Sequence, residues 1–302
     1  MEYSSLPDLK GLAALRAIVE LGGVEQAGRH LHIGQPAITK RLRSLDECYG
    51  VILMQRSGRK LRLTPAGKKV YEYACLTLDH QAVLVETLQS LHMGKNQLRL
   101  EVTFDIGEQF LPSLLMNFSD QFPQYRIHSR MGYSRRIQTR LGTGLSDLAL
   151  LELAPDHPDI LVQKWFDDEL VLVCAPNHPL SAQASITLPE LSDQEYVLRE
   201  AKSSMRITLD RELKDAGIAR LPTTLEIGAT DTIVEILARG RHLSFLPRFA
   251  VADALADGQL KHIKVKGLRI NTTLWIARNQ SSINNPVAEA YIQLLRNNTL
   301  EK

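Results

Sequence analysis

The strongest constraint on this chain is a series of three short helical patterns of apolar residues within its first fifty residues. The first pattern runs from Leu9 to Leu21, and Gly22-Gly23 ends it. A second short pattern occupies residues 24–31, and Ile33-Gly34 makes a turn after it. A third begins at Gln35-Pro36, where proline suits a first helical turn because its missing N–H would be unpaired there anyway. The spacing predicts three helices joined by tight turns.

The third helix has two chemically different faces. Ile38, Leu42 and Leu45 form a stripe that we expect to be buried. The opposite side carries the polar side chains of Thr39, Lys40 and Arg43. Two short helices joined by a tight turn, the second rich in long polar side chains, fit the major groove of double-stranded DNA.

A small β-hairpin with a basic tip is predicted after the third helix. Its strands are expected at residues 51–54 and 61–64, with the tip at residues 55–60. Arginine and lysine at such a tip, or wing, contact phosphates or a narrow minor groove. Thr64 is a plausible N-cap and Pro65 a first residue for the helix that follows.

The charge of the chain is concentrated in this region. The whole chain has a net charge of only +2, but residues 29–69 hold ten Lys and Arg against two acidic residues, or +8. A basic head on a mildly acidic body favours nucleic-acid binding. A solvated basic face is the alternative, and charge alone does not choose between them.

The ordered series of residues in this region resembles the DNA-binding head of the LysR-type transcriptional regulators. The matching segments are Gly22–Ala27, Leu31–Leu42, Leu45-Asp46, Gly50-Val51, Leu53, Arg56 and Leu63–Gly67. The sequence departs from the family at Gly23, Gly28, Gly34 and Met54. We expect the three glycines to loosen the motif, since a glycine inside a helix costs up to about 1 kcal/mol relative to alanine.

The resemblance implies a set of DNA-contacting residues. On the third helix they are Gln35, Pro36, Thr39, Lys40 and Arg43, and in the wing they are Arg56 and Arg59. Gln favours adenine edges and Arg favours guanine edges in the major groove. For each residue taken singly, a solvated surface side chain is the alternative.

A long helix with a four-three spacing of mostly apolar residues follows the wing. Its seam consists of Val70, Ala74, Thr77, Gln81, Leu84, Leu88 and Leu91. Such a seam favours helix pairing, and we predict dimerisation through its apolar members Val70, Ala74, Leu84, Leu88 and Leu91. A helix packed on its own domain is the alternative. Residues 92–96 are expected to form a hinge to the body.

The body alternates apolar strand patterns with helical patterns, which predicts an α/β domain with a largely parallel sheet. It resembles the effector domain of the same family, which has two lobes like a periplasmic binding protein. The expected domains are a winged helix-turn-helix at 1–67, a linker helix at 68–93 and the effector domain at 96–302. The first lobe comprises about 96–166 and 271–302, and the second about 167–270.

A cleft between two such lobes is the expected position of a small-molecule effector. By position in the family, its candidate residues are Asp105, Ser134, Arg135, Ser203, Ser204, Arg206, Thr230 and Asp231. Asp105 stands where the family usually has Ser or Thr, and its carboxylate would repel an anion unless Arg135 or Arg206 pairs with it. The ligand class therefore stays open between an anion and an amine or polyol. Several of the Ser and Thr could instead be helix caps.

Other classes of protein find little support in the sequence. It has no phosphate loop, no Cys–His ligand set and no Ser-His-Asp order with supporting turns, so no enzyme activity, metal or cofactor is expected. A redox switch is disfavoured because the body contains a single cysteine, Cys174. The start of the chain lacks the pattern of a signal peptide, and no apolar run could span a bilayer. We expect a cytoplasmic homodimer or homotetramer that binds a two-fold-related DNA site and a small effector.

Overall fold

A computed structural model describes residues 6–57, 60–90 and 96–298 of the chain. The chain divides into two compact units, residues 1–93 and 94–302. Three sequence predictions lie outside the described residues: the DNA contact of Arg59, the pairing of Leu91, and all of the hinge except residue 96.

The N-terminal unit contains the predicted helices and hairpin. Its elements are α1 (Leu9–Leu21), α2 (Val24–His30), α3 (Gln35–Tyr49), β1 (Met54–Ser57), β2 (Lys60–Leu63) and α4 (Pro65–Ser90). Local chemistry sets their ends. Gly22 ends α1 with φ +80° and Gly50 ends α3 with φ +67°, a left-handed conformation that favours glycine. The Thr64 hydroxyl accepts a hydrogen bond from the Gly67 amide at 3.0 Å, which confirms the predicted cap of α4.

The hairpin begins three residues later than the sequence predicted. Val51 and Ile52 are exposed and precede the first strand, whereas Leu53 is fully buried. The Leu53 amide donates to the Asp46 carboxylate at 2.9 Å, which joins the end of α3 to the hairpin. Residues 51–53 therefore form a turn anchored by the buried Leu53, and only residue 54 of the predicted first strand lies in β1.

The two halves of α4 have different surroundings. Ala74 is fully buried among the side chains that pack α1 and α3, and Arg16 of α1 donates to Asp79 of α4 at 2.9 Å. Leu84 and Leu88 are each about half exposed. Ala74 therefore contributes to the core of the head, and its place in a dimer seam stays a prediction. The first half of α4 packs on its own domain, as the alternative describes.

The C-terminal unit alternates strands and helices. Its elements are β3 (Gln97–Thr103), α5 (Phe104–Gln109), α6 (Leu111–Gln121), β4 (Arg126–Gly132), α7 (Ser134–Gly142), β5 (Leu148–Leu151), β6 (Ile160–Cys174), β7 (Ser185–Ile186), β8 (Tyr196–Arg199), α8 (Ser204–Asp215), β9 (Thr223–Ile227), α9 (Thr230–Arg239), β10 (Leu243–Pro247), α10 (Arg248–Ala256), β11 (Lys261–Val265), β12 (Ile270–Asn279) and α11 (Pro286–Asn298).

One sheet passes through both halves of this unit, in the order β4-β3-β5-β12-β6-β10-β8-β9. β3 pairs in parallel with β4 and β5, and β8 pairs in parallel with β9 and β10. The long strands β6 and β12 are antiparallel to each other and connect these two parallel groups. The sheet is therefore mixed rather than largely parallel. The first ten residues of β6 were not predicted because most of them are polar or partly exposed.

Each parallel group has its own apolar core. One includes Leu98, Leu150 and Tyr291, and the other includes Leu172, Tyr196 and Leu209. Because parallel strands end at the same edge of a sheet, β3, β4 and β5 deliver Thr103, Ser134 and Glu152 to one region. Among the described residues, no helix has the length and apolar character needed to cross a membrane.

Candidate functional sites

The exposed face of α3 carries the side chains that the sequence assigned to DNA. Ile38 and Leu45 are buried at 0% and 2% exposure, which fixes the orientation of the helix. The other face then exposes Gln35, Pro36, Thr39, Lys40 and Arg43. The Arg43 side chain is 81% exposed and lies 3.3 Å from the Glu47 carboxylate, an ion pair that competes only weakly for the guanidinium.

Gly28 permits a close approach inside the helix-turn-helix. A Cβ atom at this position would lie 2.8 Å from the carbonyl oxygen of Ile33, and the Ile33 amide donates to the Gly28 carbonyl at 3.0 Å. This close approach is a structural reason for glycine at position 28, and whether the residue loosens the motif stays a prediction. Gly34 is different, because its φ is −68° and it begins α3 with no side-chain cap.

The wing presents basic side chains on both strands. Arg56 lies on β1 and is exposed, as predicted. Arg62, paired with Gln55 across the hairpin, is also exposed, and it was not predicted from the sequence as a DNA contact. The alternation of side chains along a two-stranded ribbon could have identified it.

A buried polar cluster joins the two parallel groups of the C-terminal unit. Arg199, at the end of β8, donates to the Asp105 carboxylate of α5 and to the Thr230 hydroxyl of α9, the latter at 2.7 Å. The Thr230 hydroxyl also donates to Asp105. All three side chains are at most 3% exposed. Burial raises the pKa of Asp105, and Arg199 and Thr230 oppose that rise.

The arginine that neutralises Asp105 is not one of the two expected from the sequence. Arg135 is exposed on α7. Arg206 is buried, but it donates to Asp210 at 2.9 Å and to the Arg199 carbonyl at 2.8 Å. Arg206 thus supports the backbone of Arg199. The pairing of Asp105 with Arg199 was not predicted because the two residues are far apart in sequence and meet only where the two lobes are in contact.

Glu152 is a second buried acid in this cluster. It follows β5 directly and is 4% exposed. Burial and the negative charge of Asp105 raise the pKa of Glu152 to about 8, against the opposing effect of the Thr103 and Ser204 hydroxyls. At neutral pH the carboxyl group is therefore mostly protonated and can donate a hydrogen bond.

Several buried polar atoms around the cluster are available to a ligand. Within the described part of the chain, Ser134 Oγ, Glu152 Oε1 and Arg199 Nε have no hydrogen-bond partner. Buried polar groups are nearly always paired, so these three atoms are candidates for hydrogen bonds to a ligand. An arginine N–H, a hydroxyl and a protonated carboxyl together offer both donors and acceptors.

Further carboxylates connect the lobes around this cluster. Glu108 accepts from the Thr230 amide at 3.3 Å, Glu200 accepts from the Tyr133 hydroxyl at 2.8 Å, and Asp231 accepts from Gln109 Nε2 at 3.0 Å. Burial and the Asp105 charge raise the pKa of Glu108. The contact region between the lobes is consequently rich in acidic groups.

The predicted effector residues divide into two groups. Six are buried: Asp105, Ser134, Ser203, Ser204, Arg206 and Thr230. Arg135 and Asp231 are exposed. Glu152 and Arg199 were not predicted from the sequence, although both are charged residues at the end of an apolar strand, a pattern that could have identified them. Cys174 is buried in β6, and burial raises its thiol pKa to about 11, which disfavours redox chemistry there.

The helix-turn-helix and the two-lobed unit together define a bacterial transcriptional regulator with a ligand-binding domain. Residues 9–68 match the family model of the bacterial regulatory helix-turn-helix protein, lysR family, and residues 93–299 match the LysR substrate binding domain. The chain belongs to the LysR family of transcriptional regulators, as its sequence indicated.

Relatives and solved structures match two thirds of the chain or more. The HTH-type transcriptional activator CmpR of Synechocystis is 27% identical over 282 residues, covering 92% of this chain and 91% of CmpR. Full-length CbnR, solved with its target DNA, has a TM-score of 0.60 at 19% identity and covers 96% of this chain and 99% of its own. The CcmR regulatory domain of Synechocystis, solved with 2-PG, has a TM-score of 0.61 at 21% identity, covering 68% and 98%.

Proposed function

We propose that α3 of this LysR-type regulator enters the major groove of its operator. Gln35, Pro36, Thr39, Lys40 and Arg43 then meet bases and phosphates, while Arg56 and Arg59 contact DNA from the wing. The observation that carries this proposal is the exposed polar face of α3 opposite the fully buried Ile38. The complex of CbnR with its target DNA supports it by analogy of fold.

We infer that the protein acts as a dimer that binds a two-fold-related site. Leu84, Val85 and Leu88 are 45–52% exposed in the second half of α4, and an apolar surface of this kind on a helix favours pairing. Val70 and Ala74 lie in or against the core of the head and contribute to the seam only indirectly. Two linked heads raise each other's effective concentration on DNA. A tetramer of two such dimers is the larger assembly that the resemblance implies.

We propose that DNA binding, dimerisation and effector binding belong to three successive parts of the chain. Residues 1–67 form the DNA-binding head, 68–93 the linker helix and 96–302 the effector domain. Its first lobe comprises about 96–166 and 271–302, and its second lobe about 167–270. The relatives are transcriptional regulators, which supports a regulator in the cytoplasm and not an enzyme.

We propose that the effector binds between the lobes, at the polar cluster around Asp105 and Arg199. Of the positions expected from the sequence, Ser134, Ser204 and Thr230 belong to this site, and Glu152 joins them. The buried guanidinium of Arg199 pairs with Asp105. Three further acids, Glu108, Glu200 and Asp231, accept hydrogen bonds across the contact between the lobes. This surplus of carboxylates favours a hydroxyl-rich or cationic ligand over a free anion.

A binding titration tests the regulator function directly. Fluorescence anisotropy would follow the full-length protein on a duplex from its own upstream region and on a shuffled duplex, at rising salt. We expect the upstream duplex to bind at least about a thousandfold more tightly, with both affinities falling as salt rises. Equal affinity for the two duplexes would remove sequence-specific binding from the proposal.

A further inference from the structure

A cavity of about 370 Å³ lies in the second half of the C-terminal unit, beside β6, β11 and the start of β12. Its walls include Leu170, Leu172, Phe245, Ile263 and Leu268. None of the residues lining it belongs to the cluster around Asp105. Its size falls in the range of small-ligand pockets.

The pairing of the strands creates this opening. β12 pairs with β6 as far as Leu170, opposite Ile270, and β11 pairs with β6 only from Leu172, opposite Ile263. Beyond Ile263, β11 turns away and pairs with β7 through Lys264 and Val265. The two strands therefore diverge along one edge of β6 and leave apolar side chains around a gap.

Positive charge surrounds the cavity. Glu169 accepts from Arg248 Nε at 2.7 Å and from Arg269 Nε at 3.2 Å, and Lys264 adds a third cationic side chain. Although burial alone would raise it, the pKa of Glu169 is lowered by these two guanidinium groups. His262 lies with its Nδ1 3.5 Å from Arg248 Nη2.

The neighbouring acid in the sequence, Asp168, does not cancel this charge inside the cavity. Asp168 accepts hydrogen bonds from the Arg248 and Phe249 amides at the start of α10 and is not among the lining residues. Three cations therefore face one carboxylate across apolar walls. An anion with an apolar body satisfies both features, because its charge pairs with the arginines and its body covers the apolar surface.

We propose that this cavity is a second ligand site, specific for a small aromatic or alicyclic carboxylate or sulfonate. It is separate from the effector site between the lobes. Glu169 lies on β6 and Arg269 directly precedes β12, the two strands that connect the lobes. A ligand that changes the ion pairs of Glu169 and Arg269 affects both strands that connect the lobes. Binding in the cavity is thereby coupled to binding in the cleft between the lobes.

Calorimetry on the full-length protein with naphthalene-2-sulfonate tests the site. We expect one binding event for the sulfonate. The affinity should be at least about tenfold lower for the uncharged 2-naphthalenemethanol, which lacks the anionic group, and for inorganic sulfate, which lacks the apolar body. Arg269→Gln and Lys264→Gln should each weaken sulfonate binding about tenfold. Arg239→Gln is the matched control, because Arg239 is 80% exposed and Arg269 75%, and each is ion-paired to a glutamate.

Two results would overturn the proposal. One is equal affinity for the sulfonate and its uncharged counterpart. The other is loss of binding in Ser134→Tyr, which obstructs the interlobe cleft, with no change in Arg269→Gln. Thermal melting and binding of the upstream duplex in the same variants show that each protein is folded, and they separate failure of this site from failure of the regulator function.

Discussion

The α3 surface and the interlobe cluster both consist of polar side chains, but they are built in opposite ways. On α3 the proposed functional side chains are exposed, and a separate set, led by Ile38 and Leu45, packs the helix. In the cluster, Asp105, Arg199 and Thr230 are themselves buried and hold two lobes together. A substitution on α3 can therefore change binding alone, whereas one in the cluster changes stability as well.

The largest effect should follow removal of the buried guanidinium. Arg199→Met leaves the Asp105 carboxylate buried without its cation, which costs about 3–5 kcal/mol of unfolding free energy. Urea unfolding of the full-length protein measures it. Asp105→Asn in the same chain should recover much of the loss, because the uncompensated charge is then gone.

Arg239→Met is the surface control for that experiment. Arg239 is 80% exposed, and its ion pair with Glu235 should contribute less than about 1 kcal/mol. If Arg199→Met and Arg239→Met are equally mild, the buried pair does not hold the lobes together.

The next effect depends on pH. The pKa of Glu152 is about 8 in the folded protein and about 4.3 in an unfolded chain, so between these values only the folded state keeps the proton. Unfolding free energy then falls as pH rises, by roughly 2 kcal/mol between pH 6 and 8. Glu152→Gln should remove this slope, so the difference between variant and parent grows with pH.

The exposed Glu235→Gln provides the comparison for Glu152, since Glu235 is 66% exposed. Because this side chain is on the surface, its substitution should change the unfolding free energy by less than about 0.5 kcal/mol. Parallel curves for Glu152→Gln and the parent protein would show that Glu152 ionises freely in the folded state.

The contrast between the α3 surface and the interlobe cluster also explains which parts of the structure the sequence could predict. The helices of the head and the exposure of Thr39, Lys40 and Arg43 follow from local periodicity, and the structure confirms them. The pairing of Asp105 with Arg199 depends on two segments 94 positions apart, which no local pattern specifies. The polar first part of β6 is a strand only because β12 pairs with it.

A smaller effect is expected on the exposed surface. Arg43→Ala should weaken binding to the upstream duplex about tenfold, since a good base or phosphate contact contributes about 1–3 kcal/mol. Its unfolding free energy should stay within about 0.5 kcal/mol of the parent. Anisotropy and urea unfolding of the same preparation test both statements.

Arg239→Ala is closely matched to Arg43→Ala. Both arginines are about 80% exposed on a helix and pair with a glutamate four positions away. Only the Arg43 variant should lose affinity for DNA. Equal losses in both would indicate a general effect of positive charge and contradict the placement of α3 in the groove.

The smallest effect concerns two of the three glycines of the helix-turn-helix, Gly28 and Gly34. Gly34 begins α3 at φ −68° with no side-chain cap, and the nearest atom to an added Cβ is Pro36 Cδ at 3.5 Å. Gly34→Ser should therefore supply a cap and raise the unfolding free energy by a few tenths of a kcal/mol. Gly28→Ala should do the reverse, because its Cβ would meet the Ile33 carbonyl. Thermal melting of the two variants compares them, and stabilisation by Gly28→Ala would show that the turn yields easily and that Gly28 does loosen the head.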